Sequence, residues 1–183
     1  VEKLRRLGDE KTMGGHDEEE IVPAIDINIQ ALLPDEFVPD RQIKANLYQR
    51  ILGIANEEEI DAMWEELVDR FGTPPAVVEN LFCVVRIKLL MKQLKIDQIE
   101  QNHDIFSIRF CADPGFSGEQ FLRITSESPY AISIAANASS LELKVNTKEK
   151  NKLKERTNTL SQEKNILFEL QKLLTRLHAE GLG

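Results

Sequence analysis

Four consecutive carboxylates at residues 17–20 form the densest group of potential metal ligands in the sequence. Such a run could hold Mg²⁺ beside a nucleotide phosphate only where a buried strand fixes its position. The preceding residues read TMGGH, which cannot form a buried hydrophobic strand. We therefore expect these acidic residues to lie in a mobile linker and not in a metal site.

The residue types that usually carry catalysis are scattered along the chain. His16, His103 and His178 have no histidine partner at helical spacing, and the glycine-rich patterns of nucleotide sites are absent. Cys83 and Cys111 stand among apolar neighbours without zinc-site spacing, so we predict two buried, reduced thiols. The one Ser-Gly pair lies outside a nucleophile-elbow pattern. We predict no catalytic residue, no metal site and no cofactor; a small hydrolase with an unrecognised site is the weakest alternative.

Charge segregation on one predicted helix is the strongest pattern. This helix should begin after Asn56, with Glu59 reaching back to its N-terminus, and end at Gly72. Its apolar stripe leaves six carboxylates on the other sides, opposed by Arg70 alone: Glu58, Glu59, Asp61, Glu65, Glu66 and Asp69. This face is either a solvated surface or a docking surface for arginines.

A basic cluster stands where the last predicted strand leads into the last predicted helix. Three glutamates are interspersed among its cations, which are Lys144, Lys148, Lys150, Lys152, Lys154 and Arg156. Again a solvated face is one interpretation, and contact with nucleic acid is the other.

Length and composition limit these possibilities. A chain of 183 residues can form one domain with one sizeable core and a tail. A net charge of −8 opposes nonspecific binding to nucleic acid, which depends on lysine and arginine displacing counterions. No apolar run is long enough to span a membrane, and no signal peptide is evident, so we predict a cytoplasmic protein.

The periodicity predicts an α+β domain in which helices come first. Alternating Ile25, Ile27 and Ile29 indicate a strand, and three helices should follow Asp40, Asn56 and the cap Thr73, with prolines in the first turn of the third. The third helix is so apolar that it should be the central buried one.

The second half should supply a small, mostly antiparallel sheet. Strands are expected around residues 106–110, 130–134 and 141–145, with a short helix at 118–126. A long helix over about 152–180 should close the chain, because leucines repeat there at helical spacing.

Residues 25–96 are similar to the C-terminal domain of the bacterial transcription-repair coupling factors. The matching motifs are LLPDEFVPD at 32–40, LYQRI at 47–51, ELVDRFG at 66–72 and two prolines at 74–75. The resemblance implies that residues 1–21 end a helix of an upstream motor and form a linker, and that residues 22–183 are the C-terminal regulatory domain.

The resemblance also implies function and partners. Such a domain is non-catalytic and docks on the UvrA-binding module of its own protein, restraining an ATP-dependent DNA translocase until RNA polymerase is engaged. UvrA, RNA polymerase and DNA would then be indirect partners, and no membrane is implied. The matching positions imply contacts through Glu66 and Asp69, with Glu65, Glu58 and Asp61 nearby on the same helix. The alternative is an accessory nucleic-acid contact through residues 144–156.

Overall fold

The computed structural model describes residues 23–111, 117–137, 140–150 and 162–181. The described residues form an α+β fold, which confirms the predicted class. The strands are β1 Ala24–Asp26, β2 Ile96–Asn102, β3 Ile105–Phe110, β4 Tyr130–Asn137 and β5 Ser140–Lys150. The helices are α1 Arg41–Leu52, α2 Glu57–Phe71, α3 Ala76–Gln93, α4 Gly118–Glu127 and α5 Gln162–Gly181. The predicted linker at residues 1–21 and the predicted helical segment at 152–161 lie outside the described residues.

Local capping fixes where α1 and α2 begin. The Asp40 carboxylate accepts hydrogen bonds from the backbone N–H groups of Gln42 and Ile43, at 2.8 and 2.9 Å. The Asn56 side chain accepts the N–H of Glu59, whose carboxylate in turn accepts the N–H of Ala55. These contacts satisfy backbone donors that a helix cannot pair internally. Both predicted starts are thus confirmed.

The predicted start of α3 is wrong by two residues. Pro75, not Thr73, occupies the N-cap position, with φ −72° and ψ 163°, and no side chain caps this helix. A residue that precedes proline is disfavoured in helical conformation, so Pro74 keeps the chain extended before Pro75. Thr73 is exposed and makes no cap.

Two hydrophobic clusters share α3. One side of α3 packs with α1 and α2 through buried residues such as Phe82, Val85 and Leu89. Its other side contributes Ile87 and Met91 to a second cluster with the sheet and α5. The prediction that this helix is the central buried one is therefore confirmed.

The sheet has the order β1-β2-β3-β5-β4. Its pairs are antiparallel except β1 with β2, which run parallel. One face carries Phe106, Ile108 and Leu143, which are buried in the second cluster under α3 and α5. The opposite face carries polar residues such as Arg109 and Lys144. The helical layer therefore covers one side of the sheet, as in other half-solvated antiparallel sheets.

The first strand is shorter than its alternation predicted. Ile25, Ile27 and Ile29 all pack against the second cluster, yet the ladder ends at Asp26. Beyond it, the N–H of Ile29 donates to the carbonyl of Ile27 at 2.9 Å, and the N–H of Asn28 donates to a side-chain oxygen. The chain bends there, so burial continues where strand pairing does not.

The two cysteines differ, which corrects one prediction. Cys83 is half-buried in α3, its thiol donates to the side-chain oxygen of Gln171 at 3.2 Å, and burial raises the pKa of this thiol to about 11. Cys111 is exposed, contrary to the prediction from its apolar neighbours. It lies just after the end of β3, where its thiol contacts the carbonyl of Lys95.

Candidate protein-interaction site

The helix α2 presents a row of carboxylates directly opposite its buried side. Ile60, Met63 and Leu67 anchor the buried side in the first cluster. At 100° per residue, the positions farthest from them are 58, 62, 65 and 69. We call these four exposed residues, Glu58, Ala62, Glu65 and Asp69, the outer ridge. The ridge spans about 16 Å of helix and carries three negative charges.

The flank of α2 that faces α1 is held by an ion-pair cluster around Glu66. Two nitrogens of the Arg50 guanidinium donate to the two carboxylate oxygens of Glu66, at 2.9 and 2.5 Å. Arg70, one turn further along α2, donates to the same carboxylate at 2.6 Å. The hydrogen bonds from Arg50 and then Arg70 lower the pKa of Glu66 to about 2.

The flank that faces α3 is held by Arg86. Its guanidinium donates to Glu57 at 3.1 Å and to Asp61 at 2.6 Å, so one α3 cation joins two carboxylates of α2. Only about a quarter of the Arg86 side chain is exposed. Asp61 is therefore occupied within the fold.

These contacts separate the five predicted site residues into two groups. Glu66 and Asp61 bind arginines of neighbouring helices or of α2 itself. Glu58, Glu65 and Asp69 have no hydrogen bond or ion pair with any residue of the described ranges. The outer ridge thus provides the carboxylates that a second surface could bind.

Sequence reasoning missed two of the residues that shape this site. The sequence pattern indicates Arg70 as the sole cation opposing the acidic helix, whereas Arg50 and Arg86 also bind it. A signal existed for Arg86, because it stands between the apolar Val85 and Ile87 of α3 and would need a carboxylate partner on a packed helix. Arg50 gave no such signal, because it lies on an ordinary polar face of α1.

The basic cluster is described only in part. Lys144 lies 3.6 Å from Glu142, and Lys148 lies 2.7 Å from Asp104. Lys152, Lys154 and Arg156, with the side chain of Lys150, fall outside the residues described. The alternative contact with nucleic acid stays a prediction, and the two described cations that would serve it are ion-paired within the chain.

The described part of the chain contains no group of three His, Cys, Asp or Glu side chains placed to hold a metal ion. None of the helices in that part is long and apolar enough to cross a membrane.

A protein-family model for the TRCF domain matches residues 27–121, which begin just after β1 and include all of α1 to α3, β2, β3 and the start of α4. The matched residues make up more than half of the chain, and α2 with its outer ridge lies inside them. The chain belongs to the TRCF domain family. This TRCF domain carries the outer ridge on the helix whose ELVDRFG ending suggested the family.

Curated relatives of this TRCF domain are transcription-repair-coupling factors. The protein from Rickettsia typhi is 34% identical over 125 residues, which cover 68% of this chain and 11% of that protein. The protein from Bacillus subtilis is 26% identical over 132 residues, which cover 71% of this chain and 11% of that protein. The chain thus spans about a tenth of the length of these relatives.

The fold is also that of a solved structure, the crystal structure of the C-terminal domain of transcription-repair coupling factor. The two chains superpose with a TM-score of 0.71 at 24% identity, and the match covers 85% of this chain and 91% of the other. The TRCF domain described here therefore shares its α+β architecture with that C-terminal domain.

Proposed function

We propose that this TRCF domain is the non-catalytic regulatory module of a transcription-repair coupling factor. In this proposal the outer ridge of α2 docks on a basic surface of the UvrA-binding module in the same protein. The docked state covers the surface that UvrA would use and restrains the ATP-driven motor. Engagement of RNA polymerase then opens the contact.

One observation carries the proposal: three carboxylates of the outer ridge are exposed and lack partners among the described residues, although other carboxylates of α2 are paired. The three residues lie along one line of the helix surface. Glu58 and Glu65 are about two helical turns apart, and Glu65 and Asp69 are about one turn apart. A surface with arginines at similar spacing could meet all three at once, each through charge-assisted hydrogen bonds.

The energetics suit a contact that opens and closes. Each exposed ion pair contributes roughly 0–1 kcal/mol, which is too little for tight binding between separate proteins. Within one chain, however, a tether can give an effective concentration of about millimolar, so a weak contact stays mostly closed. A competing partner can then open it.

Glu66 and Asp61 take a positioning role in this proposal. Through Arg50 and Arg86 they fix α2 against α1 and α3. The outer ridge therefore keeps its orientation when a partner surface binds. The resemblance implied direct contacts through Glu66 and Asp69. We keep Asp69 as a contact residue and assign Glu66 to holding α2.

The test reverses two charges of the outer ridge in the full-length factor that contains this domain, with Glu65→Arg and Asp69→Arg together. We expect UvrA binding to tighten by about 5- to 150-fold, the range of typical coupling energies, and basal ATPase activity to rise above the parent level. The free energy of unfolding of the domain should stay within about 0.5 kcal/mol of the parent value, because both residues are exposed.

The matched control is Asp26→Arg with Glu119→Arg, which makes the same charge change at two exposed carboxylates outside α1 to α3. This control should leave UvrA binding and ATPase activity at the parent level. If the ridge variant gives parent-level values as well, or if the control raises both as strongly, the outer ridge is not the docking surface.

A further inference from the structure

The two edges of the sheet differ in how they are protected. β1, at one edge, has three residues, and its last residue is Asp26. β4, at the other edge, has eight residues, YAISIAAN, without a charge or a proline. Proteins usually protect edge strands by shortness, charge, proline or irregularity, because an open edge pairs with other strands. β4 has neither a short length nor a charged residue.

The open edge of β4 is also regular. Its pairing with β5 keeps one register from Ala131↔Asn146 to Asn137↔Ser140, and the irregularity is confined to Tyr130. Among the described strands, β5 is the one partner of β4. Every second backbone N–H and C=O of this stretch therefore points away from the sheet and can pair with another strand.

The sequence of this edge is palindromic. Residues 131–135 read Ala-Ile-Ser-Ile-Ala in both directions, centred on Ser133. In an antiparallel pair of two copies, a two-fold axis at Ser133 places Ile132 opposite Ile134 of the second copy, and the reverse. In a symmetric dimer each contact occurs twice, so the residues on the two sides of the axis must suit each other, as two isoleucines do.

We propose that β4 is a self-association edge, which pairs antiparallel with β4 of a second copy of this chain about Ser133. The sheets of the two copies would then form one continuous sheet. This inference is independent of the outer ridge, which lies on α2 in the other cluster.

The environment of the two isoleucines supports this occupant. Ile132 and Ile134 lie opposite the buried Val145 and Leu143 of β5, so both side chains are on the face that carries the core. Ile134 is nevertheless 47% exposed. Pairing would place Ile132 of the second copy beside it and join four isoleucines into one apolar group. A polar or charged partner strand would gain less from this position.

The contact should be weak, because one strand edge buries much less than the roughly 1,200–2,000 Å² of a stable interface. We expect a dissociation constant on the order of 10–1,000 µM. Sedimentation velocity of the 183-residue chain from about 5 µM to about 500 µM covers this transition. The average mass should rise toward that of a dimer across this range.

Ser133→Glu is the discriminating variant. Within one chain the new carboxylate lies opposite Lys144 of β5, on the polar face of the sheet, so the fold should tolerate it. Across the two-fold axis, two such carboxylates would face each other, and we expect the dissociation constant to rise at least about tenfold. Ser107→Glu is the control on the inner strand β3, because it makes the same change opposite the same Lys144; Glu100 of β2 lies on its other side, so the free energy of unfolding of this variant is measured as well.

A mixture separates lost pairing from lost folding. Ser133→Glu and Ser133→Lys should each associate weakly alone, and an equimolar mixture should recover dimerisation because opposite charges then meet at the axis. Alternate β4 amides of the parent chain should exchange with solvent more slowly at high concentration. A constant monomer mass, association unaffected by Ser133→Glu, or β4 exchange independent of concentration would each overturn the proposal; the last outcome would point to another surface.

Discussion

Glu66 is the residue through which α1 and α2 are joined by charge. Its carboxylate receives three hydrogen bonds from two guanidinium groups, and about a quarter of its side chain is exposed. Charge-assisted, bidentate contacts of this kind are stronger than isolated surface pairs, because the geometry is fixed and two oxygens are used. Glu66 should therefore contribute to stability as well as to the direction of α2.

We predict that Glu66→Gln lowers the free energy of unfolding by about 1–2 kcal/mol at pH 7, after allowance for solvent screening. The folded pKa of about 2 lies below the ordinary value of 4.5, so this stability is present above about pH 4.5. It should be lost as the pH falls from 4.5 toward 2, because the folded state must then take up a proton against two arginines.

Urea unfolding of the parent and Glu66→Gln, at pH 7 and near pH 2.5, measures this effect. The difference between the two proteins should shrink at the lower pH. An equal difference at both values would mean that the carboxylate charge is not what stabilises the contact. Asp69 has no partner among the described residues, so Asp69→Asn should change the free energy of unfolding by less than about 0.5 kcal/mol at pH 7.

Which carboxylates of α2 are exposed and unpaired could be predicted only in part. The spacing of Glu58, Glu65 and Asp69 against the apolar stripe placed them on the outward side of α2, since helical geometry alone decides it. The state of Glu66 could not be derived in the same way. Its partner Arg50 belongs to another helix, and only the packing of α1 on α2 brings the two within 2.9 Å.

At the scale of elements, Gly72 is the residue that lets the chain leave α2. It has φ +81° and ψ −158°, a region that other residues enter at a cost of about 1–3 kcal/mol. Gly53, after α1, has φ −86° and ψ −3°, which any residue adopts. The two helix ends therefore look alike in sequence but differ in their need for glycine.

We predict that Gly72→Ala lowers the free energy of unfolding by about 1–3 kcal/mol, although a Cβ there would meet no atom within 4 Å. Gly53→Ala should be neutral or stabilising by up to about 1 kcal/mol, because the unfolded chain loses freedom and the new Cβ makes ordinary contacts. Chemical denaturation of both variants compares them directly. Equal effects would show that backbone conformation at Gly72 is not strained by a side chain.

The strand β2 shows why one element escaped prediction. Its buried residues Ile96 and Ile99 are three apart, so the alternation that reveals a strand is broken. The register shifts between Ile96 and Gln98, and the extra residue is Asp97. A bulge of this kind changes which face of the sheet the following side chains occupy. It forms only when β2 pairs with β3, so it cannot be read from the sequence of β2 alone. β3, β4 and β5 kept their alternation and were predicted.

At the scale of the whole molecule, α3 makes one unit of two clusters. Trp64, the single tryptophan, packs edge-on against Phe82 of α3 at 5.2 Å and so lies in the helical cluster. Leu143 of β5 is 1% exposed in the other cluster. Because both clusters are built on the same helix, loss of one should remove the support of the other.

We therefore predict a single unfolding transition. Leu143→Ala should lower the free energy of unfolding by about 2–5 kcal/mol through a cavity in the sheet cluster. The midpoint seen by Trp64 fluorescence should move as far as that seen by far-UV circular dichroism, although Trp64 does not lie in that cluster. Two separate midpoints would mean that the helical cluster unfolds on its own.

The parallel ladder between β1 and β2 gives the molecule a weak mechanical point. Three residues, Ala24, Ile25 and Asp26, join the sheet at its edge through this ladder. Tension applied along the preceding chain would load this short ladder before it reached α3. Because this ladder has only three residues, we expect the first strand to separate from the sheet before the helices unfold, which would relieve a pull from that direction by a small extension.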